Sequence, residues 1–252
     1  VIYANEKYPA NFILENIKIQ TNIIESSWSS KARRLVFLGS SCIYPKYSIQ
    51  PIKEELLLSG ELESTNQWYA IAKIAGMKLC ESLRIQYKFD AISLMPTNLY
   101  GPNDNYHDQN SHVMASLIKK FLIAKNQKLS SVTCWGSGSV MREFMHVDDL
   151  AEAIIFCLEN WFPINNDKPS YCKCKPLNHL NVGTGKDISI TDLAKKRASI
   201  TNFKGKIIWD KSKPDGTPRK LLDINRINKL GWRAKIDLDT GLKETISLLK
   251  KS

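Results

Sequence analysis

In "TNQWYAIAKIAG" (Thr65–Gly76) a tyrosine and a lysine stand four residues apart within a run of good helix formers. On a helix that spacing puts Tyr69 and Lys73 on one face, a turn apart. Such a helix can pack closely while aiming a phenol and an ammonium the same way. A separate stripe of mostly small residues, Ala72, Ala75, Gly76, Leu79 and Leu83, suits close packing and could pair across a two-fold axis with a second copy. Taken alone, the pair is a weak signal, since surface Tyr–Lys pairs are common.

The surrounding elements give it context. "RRLVFLGSS" reads as a buried strand ending in Ser40 and Ser41, with Cys42 next. "NQWYAIAKIAGMKLCESLRIQY" reads as one long helix, and "FDAISLMPTNLYG" as a second buried strand closed by Pro96 and Gly101. Strand, helix, strand predicts a right-handed parallel crossover. Ligands of such open sheets sit outside the carboxyl ends of the strands. One rim is therefore expected to gather Ser40, Ser41, Cys42, Thr97 and Asn98. Downstream come a helix near 112–124, a strand near 132–135, and "MREFMHVDDLAEAIIFCLEN" as strand then helix with Asp148 and Asp149 at its start. "HLNVGTG", "ITDLAKKRAS" and "KIIWD" read as strand, helix and strand, and "SKPDGTPRK" as a loop. Arg197 is an awkward charge on its helix. No internal repeat or long linker interrupts the series.

The 252 residues carry 36 Lys and Arg against 25 Asp and Glu, a formal net charge of +11. That balance favours anionic partners. The cations are dispersed and no basic tract interleaves with aromatics, which points to local anion pockets rather than a nucleic-acid stripe. No apolar run is long enough to span a bilayer, and no membrane partner is expected. The six cysteines are scattered, several in apolar runs, which fits the cytosol better than a disulfide scaffold. Cys172 and Cys174 near His179 raise zinc, but the usual second Cys pair is missing and the segment reads as a polar insertion; no metal is expected. Neither "GSGS" nor "GTGK" matches a phosphate-binding glycine loop. The chain opens on Val1 in mid-element and is expected to be incomplete at its N-terminus.

Together, "FLGSSCIYPK", "YAIAKIAG", "MPTNLYGPNDN", "NSHV", "WGSG", "MREFMHVDD", "NVGTG" and "KPDGTPRKLLD" resemble the extended short-chain dehydrogenase/reductase superfamily and, within it, the GDP-L-fucose synthase family. Eight blocks in one order, over nearly the whole chain, are far more specific than Tyr-x-x-x-Lys. The resemblance implies an α/β fold: a Rossmann-like doubly wound parallel sheet lacking its first βαβ part, with a smaller C-terminal α+β substrate domain. Residues 1–102 would be the remainder of the NADP-binding domain and 103–252 the substrate region, with a segment at about 141–162 returning to the first. It implies NADPH-dependent 3,5-epimerisation and 4-reduction of GDP-4-keto-6-deoxy-D-mannose to GDP-L-fucose, in a cytoplasmic homodimer.

The roles it implies fall on named positions. Tyr69 would donate to the C4 oxygen, Lys73 would favour the phenolate and contact the nicotinamide ribose, and Ser40, four residues before Tyr44, would bond the same carbonyl. Cys42 and His112 would be the acid/base pair for epimerisation. Leu38, Gly39, Ser40, Ser41, Pro96, Thr97, Asn98, Leu99 and His112, with Tyr69 and Lys73, would line NADP(H). Lys120, Trp135, Arg142, Asp215 and Lys220 would contact the GDP-sugar, Lys120 standing where an arginine can occur. Without the glycine loop, this chain alone is expected to bind NADPH poorly. Competing readings are another nucleotide-sugar epimerase or dehydratase of the same superfamily, which would not need Cys42 with His112, and an inactive truncated binding protein.

Overall fold

Strand β1 (Leu35–Leu38) is a short β-branched and aromatic run, and β2 (Ala91–Pro96) is buried along its whole length. Strands buried on both faces must have helices on each side. The computed structural model, which describes residues 2–107, 111–163, 171–172 and 175–249, has that arrangement. Before the first strand come two helices, α1 (Ile2–Lys7) and α2 (Pro9–Ser29); between β1 and β2 lies α3 (Gln67–Tyr87). Next come β3 (Asn98–Tyr100), α4 (Val113–Asn126), β4 (Ser131–Trp135), β5 (Met141–His146) and α5 (Val147–Asn160). A two-residue pair, β6 (Tyr171–Cys172) and β7 (Lys175–Pro176), precedes β8 (His179–Val182), β9 (Asp187–Ser189) and α6 (Ile190–Thr201). The chain ends in β10 (Lys206–Asp210), β11 (Arg219–Lys220), α7 (Asn225–Leu230) and α8 (Leu238–Leu249).

Strands β1, β2 and β8 form one parallel sheet, with Leu35 opposite Ala91 and Leu94 opposite Leu180. Helices α2 and α3 bury Ile24, Met77, Cys80 and Leu83 on one face. Helix α5, through Leu150, Ala153 and Cys157, covers the other with Trp161, Ile227 and Trp232. Strand β5 pairs in parallel with β3 and β11 and antiparallel with β9; β4 pairs in parallel with β10. A further cluster around Phe121, Leu193, Phe203 and Leu242 joins α4, β4, α6 and α8. The doubly wound parallel α/β fold is as expected.

Two local expectations change. The run expected as one strand from Phe89 to Gly101 is two. Pro96 has no N–H to continue the ladder; Thr97 makes the last bond, to Val182 O at 3.0 Å, and Asn98–Tyr100 then pairs with β5 instead. Most of the small-residue stripe of α3 faces inward, Ala75 excepted: Ala72 is fully buried, Gln20 Nε2 of α2 donates to its carbonyl, and a Cβ on Gly76 would stand 2.6 Å from Phe37 and 2.7 Å from Gln20. Those residues admit α2 of the same chain. Helices α1 and α2 were not read from the sequence; α2 has Pro9 in its first turn and buried or half-buried positions at 13, 17, 20, 24 and 28, a helical period. Cys174 and the Cys172 side chain lie outside what is described; among the described residues no His, Cys, Asp or Glu group could hold a metal ion, and no helix is long and apolar enough to cross a membrane.

Glu143, on β5, is fully buried, and its carboxylate accepts three backbone N–H groups: Thr184 at 2.6 Å, Gly185 at 2.7 Å and Leu222 at 3.0 Å. Leaving those donors unpaired in the interior costs on the order of 1–3 kcal/mol each, offset where water enters. Glu143→Ala is expected to lower stability by about 3 kcal/mol in urea unfolding. A loss below about 1 kcal/mol would show that other acceptors replace the carboxylate.

Candidate active site

The chemical groups sit where strands end and helices begin. Ser40 follows β1 and caps the short 3-10 turn Ser41–Ile43, its Oγ accepting from Cys42 N at 3.2 Å. Gly39 lets the turn pack closely on β2, since a Cβ there would meet Met95 Sδ at 2.4 Å and make that side chain shift. Tyr69 and Lys73 enter from the first turns of α3, and Lys73 Nζ donates to Leu38 O at 3.1 Å. All eleven residues expected around the cofactor line one cavity of about 560 Å³ at the carboxyl ends of β1 and β2. All five expected against the sugar nucleotide line a neighbouring cavity of about 260 Å³. Five residues belong to both walls: Asn5, Cys42, Asn66, Asn98 and His112. A reacting carbon and a nicotinamide ring would have to meet at that shared wall.

The electrostatics differ from group to group. Burial pushes the Tyr69 phenol up to about 12, and charge on Cys42 pushes the same way, against a hydrogen bond from Ser40. The expected lowering by Lys73 is not seen: its ammonium lies 5.8 Å from the phenol ring centroid and is committed to the Leu38 carbonyl. The Tyr69 phenol thus keeps its proton at physiological pH. Cys42 goes the other way. Burial alone would raise its pKa, but the Lys220 ammonium, the Ser40 hydroxyl and the Arg142 charge outweigh that and bring the thiol below its ordinary value. Lys220 Nζ lies 3.4 Å from Cys42 Sγ, placed by the pairing of β11 with β5. Burial lowers His112, so an imidazolium there gives up its proton readily.

The sugar-nucleotide wall carries the cations. Arg142 donates to Met141 O at 2.8 Å and Asp215 O at 3.1 Å, and burial lowers its pKa. Asp215 Oδ1 accepts from Ser137 N at 2.8 Å, in a turn where Gly136 has φ +84° and a Cβ would stand 2.3 Å from that oxygen. Trp135 is 47% exposed at the mouth, with Lys120 and Lys213 ammoniums 5.4 and 5.5 Å from its ring. Lys120 also donates to Thr133 O at 2.9 Å. Arginine and lysine beside an open indole suit a diphosphate joined to a flat base.

Asn5, Glu63 and Asn66 were not singled out from the sequence. Glu63 pairs with Lys46 at 2.9 Å and lines the sugar-side wall. Only Asn66 carried a readable signal: a good N-cap type three residues before Tyr69.

A doubly wound sheet with a Ser–Tyr–Lys set at its carboxyl rim and a cationic pocket beside it defines a nicotinamide-dependent enzyme of nucleotide-linked substrates. The chain belongs to the NAD dependent epimerase/dehydratase family, which matches residues 2–168. It is 51% identical over 245 residues to "Probable GDP-L-fucose synthase 1" of Oryza sativa subsp. japonica, covering 97% of this chain and 71% of that protein. It is 51% identical over 246 residues to "GDP-L-fucose synthase" of Escherichia coli (strain K12), covering 97% and 75%. The solved structure of MlghC, a GDP-mannoheptose C4 reductase from Campylobacter jejuni with NADP bound, superposes with TM-score 0.85 at 36% identity, covering 98% of this chain and 77% of that one.

Replacing Lys220 by Gln removes the cation nearest the Cys42 sulfur. The thiol pKa is expected to rise by about one unit, read from the pH dependence of carboxymethylation of the Cys42 peptide. An unchanged midpoint would show that Lys220 does not set the thiol's charge.

Proposed function

We infer that this chain catalyses NADPH-dependent 3,5-epimerisation and 4-reduction of GDP-4-keto-6-deoxy-D-mannose to GDP-L-fucose. The observation that supports this most is the wall common to both cavities: a thiol with lowered pKa and an imidazole stand there, beside a Ser–Tyr pair on the cofactor side. A plain 4-epimerase needs the Ser–Tyr pair but has no use for a thiol held against an ammonium.

The chemistry follows from the ketone at C4. A proton on C3 or C5 becomes removable only if the enolate oxygen is stabilised. The Cys42 thiolate takes that proton and becomes a thiol, while the C–H electron pair moves into the enolate. The Tyr69 and Ser40 hydroxyls hold the developing O4 charge. His112 returns a proton to the opposite face, and the inverted carbon is fixed when the enolate collapses to the ketone. A phenol held near 12 donates without first ionising, which suits this step.

The cofactor cavity fits NADP(H): Gly39 lets the turn after β1 pack on Met95, and Lys73 offers a half-buried ammonium beside the Leu38 carbonyl. Leu38–Ser41, Pro96–Leu99 and Lys73 would hold its nicotinamide end, and bound NADPH supplies the hydride for C4. Tyr69 gives its proton to O4 as the ketone becomes an alcohol. Arg142, Lys120 and Lys220 bind the diphosphate side, with Trp135 against guanine and Asp215 fixing the turn beside it. We further infer a cytoplasmic homodimer. Ile19 and Ile23, one turn apart on the outer face of α2, are 60% and 54% exposed and would be covered by a second copy; equilibrium sedimentation of a monomer would count against it.

Tyr69→Phe is expected to cut C4 reduction by about a hundredfold or more, measured as NADPH oxidation with the keto sugar; a near wild-type rate would sink the assignment. Cys42→Ser and His112→Gln are expected to suppress exchange of solvent deuterium into C3 and C5 more than they slow hydride transfer. Exchange unchanged in both variants would remove these residues from the mechanism.

A further inference from the structure

Asn66 occupies the N-cap position of α3, yet its side chain makes no capping hydrogen bond. Asparagine is favoured at that position because its oxygen satisfies an otherwise unpaired helix N–H. Ser189, at the start of α6, behaves as expected and accepts from Asp192 N at 3.0 Å. Asn66 instead turns its amide across the rim, so that Nδ2 lies 3.5 Å from Cys42 Sγ. Its Oδ1 is buried with no hydrogen-bond partner among the described residues. A side chain placed to stabilise the helix would not leave both its capping role and its oxygen unused. Asn66 also belongs to the wall shared by the two cavities.

We propose that Asn66 is a positioning residue for Cys42: its amide N–H, opposite the Lys220 ammonium, fixes the sulfur where it can reach the sugar carbons. Asn66 from α3 and Lys220 from β11 then grip one sulfur from elements other than the turn after β1, which itself supplies the Ser40 hydroxyl. A lysine attracts the thiolate from any direction, whereas an amide N–H directs a lone pair. The sulfur is thereby tied to the same helix start that carries Tyr69, so base and C4 donor move together. The charged and titratable groups around the sulfur are Lys220 and Arg142 from the β5–β11 side, Glu63 from the loop before α3, Tyr69 from α3 and His112 across the cavity. None of these replaces a directed N–H from the α3 start.

The test uses N66S and N66D in the full chain. Both residues cap helices well, so α3 keeps its start, but serine does not reach the sulfur and aspartate offers it no donor. The first readout needs no substrate: the pH dependence of carboxymethylation of the Cys42 peptide. In N66S the midpoint is expected to rise by about one unit, roughly tenfold less thiolate at a pH below it, and further in N66D. The second readout, deuterium exchange at C3 and C5, is expected to fall about tenfold in N66S at neutral pH. Midpoints equal to wild type in both variants would overturn the proposal. This kinetic half rests on the functional reading above; if the unsubstituted chain exchanges no deuterium, that reading fails while the titration still decides the role of Asn66.

Discussion

One buried carboxylate fixes the relation between the pieces that carry the chemistry. Glu143 lies on β5, next to Arg142, and reaches the turn after β8 through Thr184 and Gly185 and the segment after β11 through Leu222. Its backbone carbonyl accepts from Thr97 Oγ1 and Asn98 Nδ2, at the point where the chain leaves the first sheet for the second. Gly183 makes the approach possible, since a Cβ there would lie 2.3 Å from the carboxylate. Burial raises the pKa of this carboxyl and the donated N–H groups oppose it. The site inherits this arrangement: Lys220 sits two residues from one of those bonds and Arg142 is adjacent in sequence, so both cations are set by where Glu143 finds its donors.

The same interior that holds the site together also sorts its acids and bases. Low dielectric penalises every charge, and each group's outcome depends on what faces it. Tyr69 meets no cation close enough to compensate and stays a neutral donor. Cys42 meets an ammonium at 3.4 Å and moves toward the thiolate. A phenol that keeps its proton and a thiol that readily loses one, on walls of adjoining cavities, make opposite steps possible at one ketone. Arg197 shows what happens without compensation. It is fully buried on α6, its Nη2 lies 2.6 Å from Met114 Sδ, and burial brings its pKa to about 9. The charge that looked awkward in the sequence is awkward in the fold, and no physical account of it follows from its neighbours.

Much of the fold was legible because its signals are local. The apolar run of β1, the helical spacing of α3 and the acidic start of α5 each declare themselves within a dozen residues. The break at Thr97 was not, because nothing in "MPTNLYG" says that β5 will be available to take Asn98–Tyr100. The facing of the small stripe on α3 was not either: a stripe shows that something packs closely, not whether it is α2 or a second copy. For the site, family blocks named Cys42, Lys220, Tyr69 and His112, and all of them line the two cavities. What no block contained was the pairwise geometry. Cys42 and Lys220 are 178 positions apart, and their contact depends on where β11 lies, paired with β5 on one side and bonded through Leu221 and Asp223 to Ile52 on the other.

That long separation bears on how the site can vary. Groups held on one helix, such as Tyr69 and Lys73, keep their spacing whatever the rest of the chain does. Groups brought together from separate strands keep theirs only while the sheet register holds. In the proposed chemistry, reduction would lean mainly on β1 and the start of α3, while epimerisation would add His112 before α4 and Lys220 on β11. A disturbance that shifts β11 against β5 therefore strips the thiol of its ammonium and raises its pKa, while Tyr69 remains beside Ser40. On that reading proton shuttling at C3 and C5 is the more fragile of the two steps, because its groups come from segments as far apart as 178 positions in the chain.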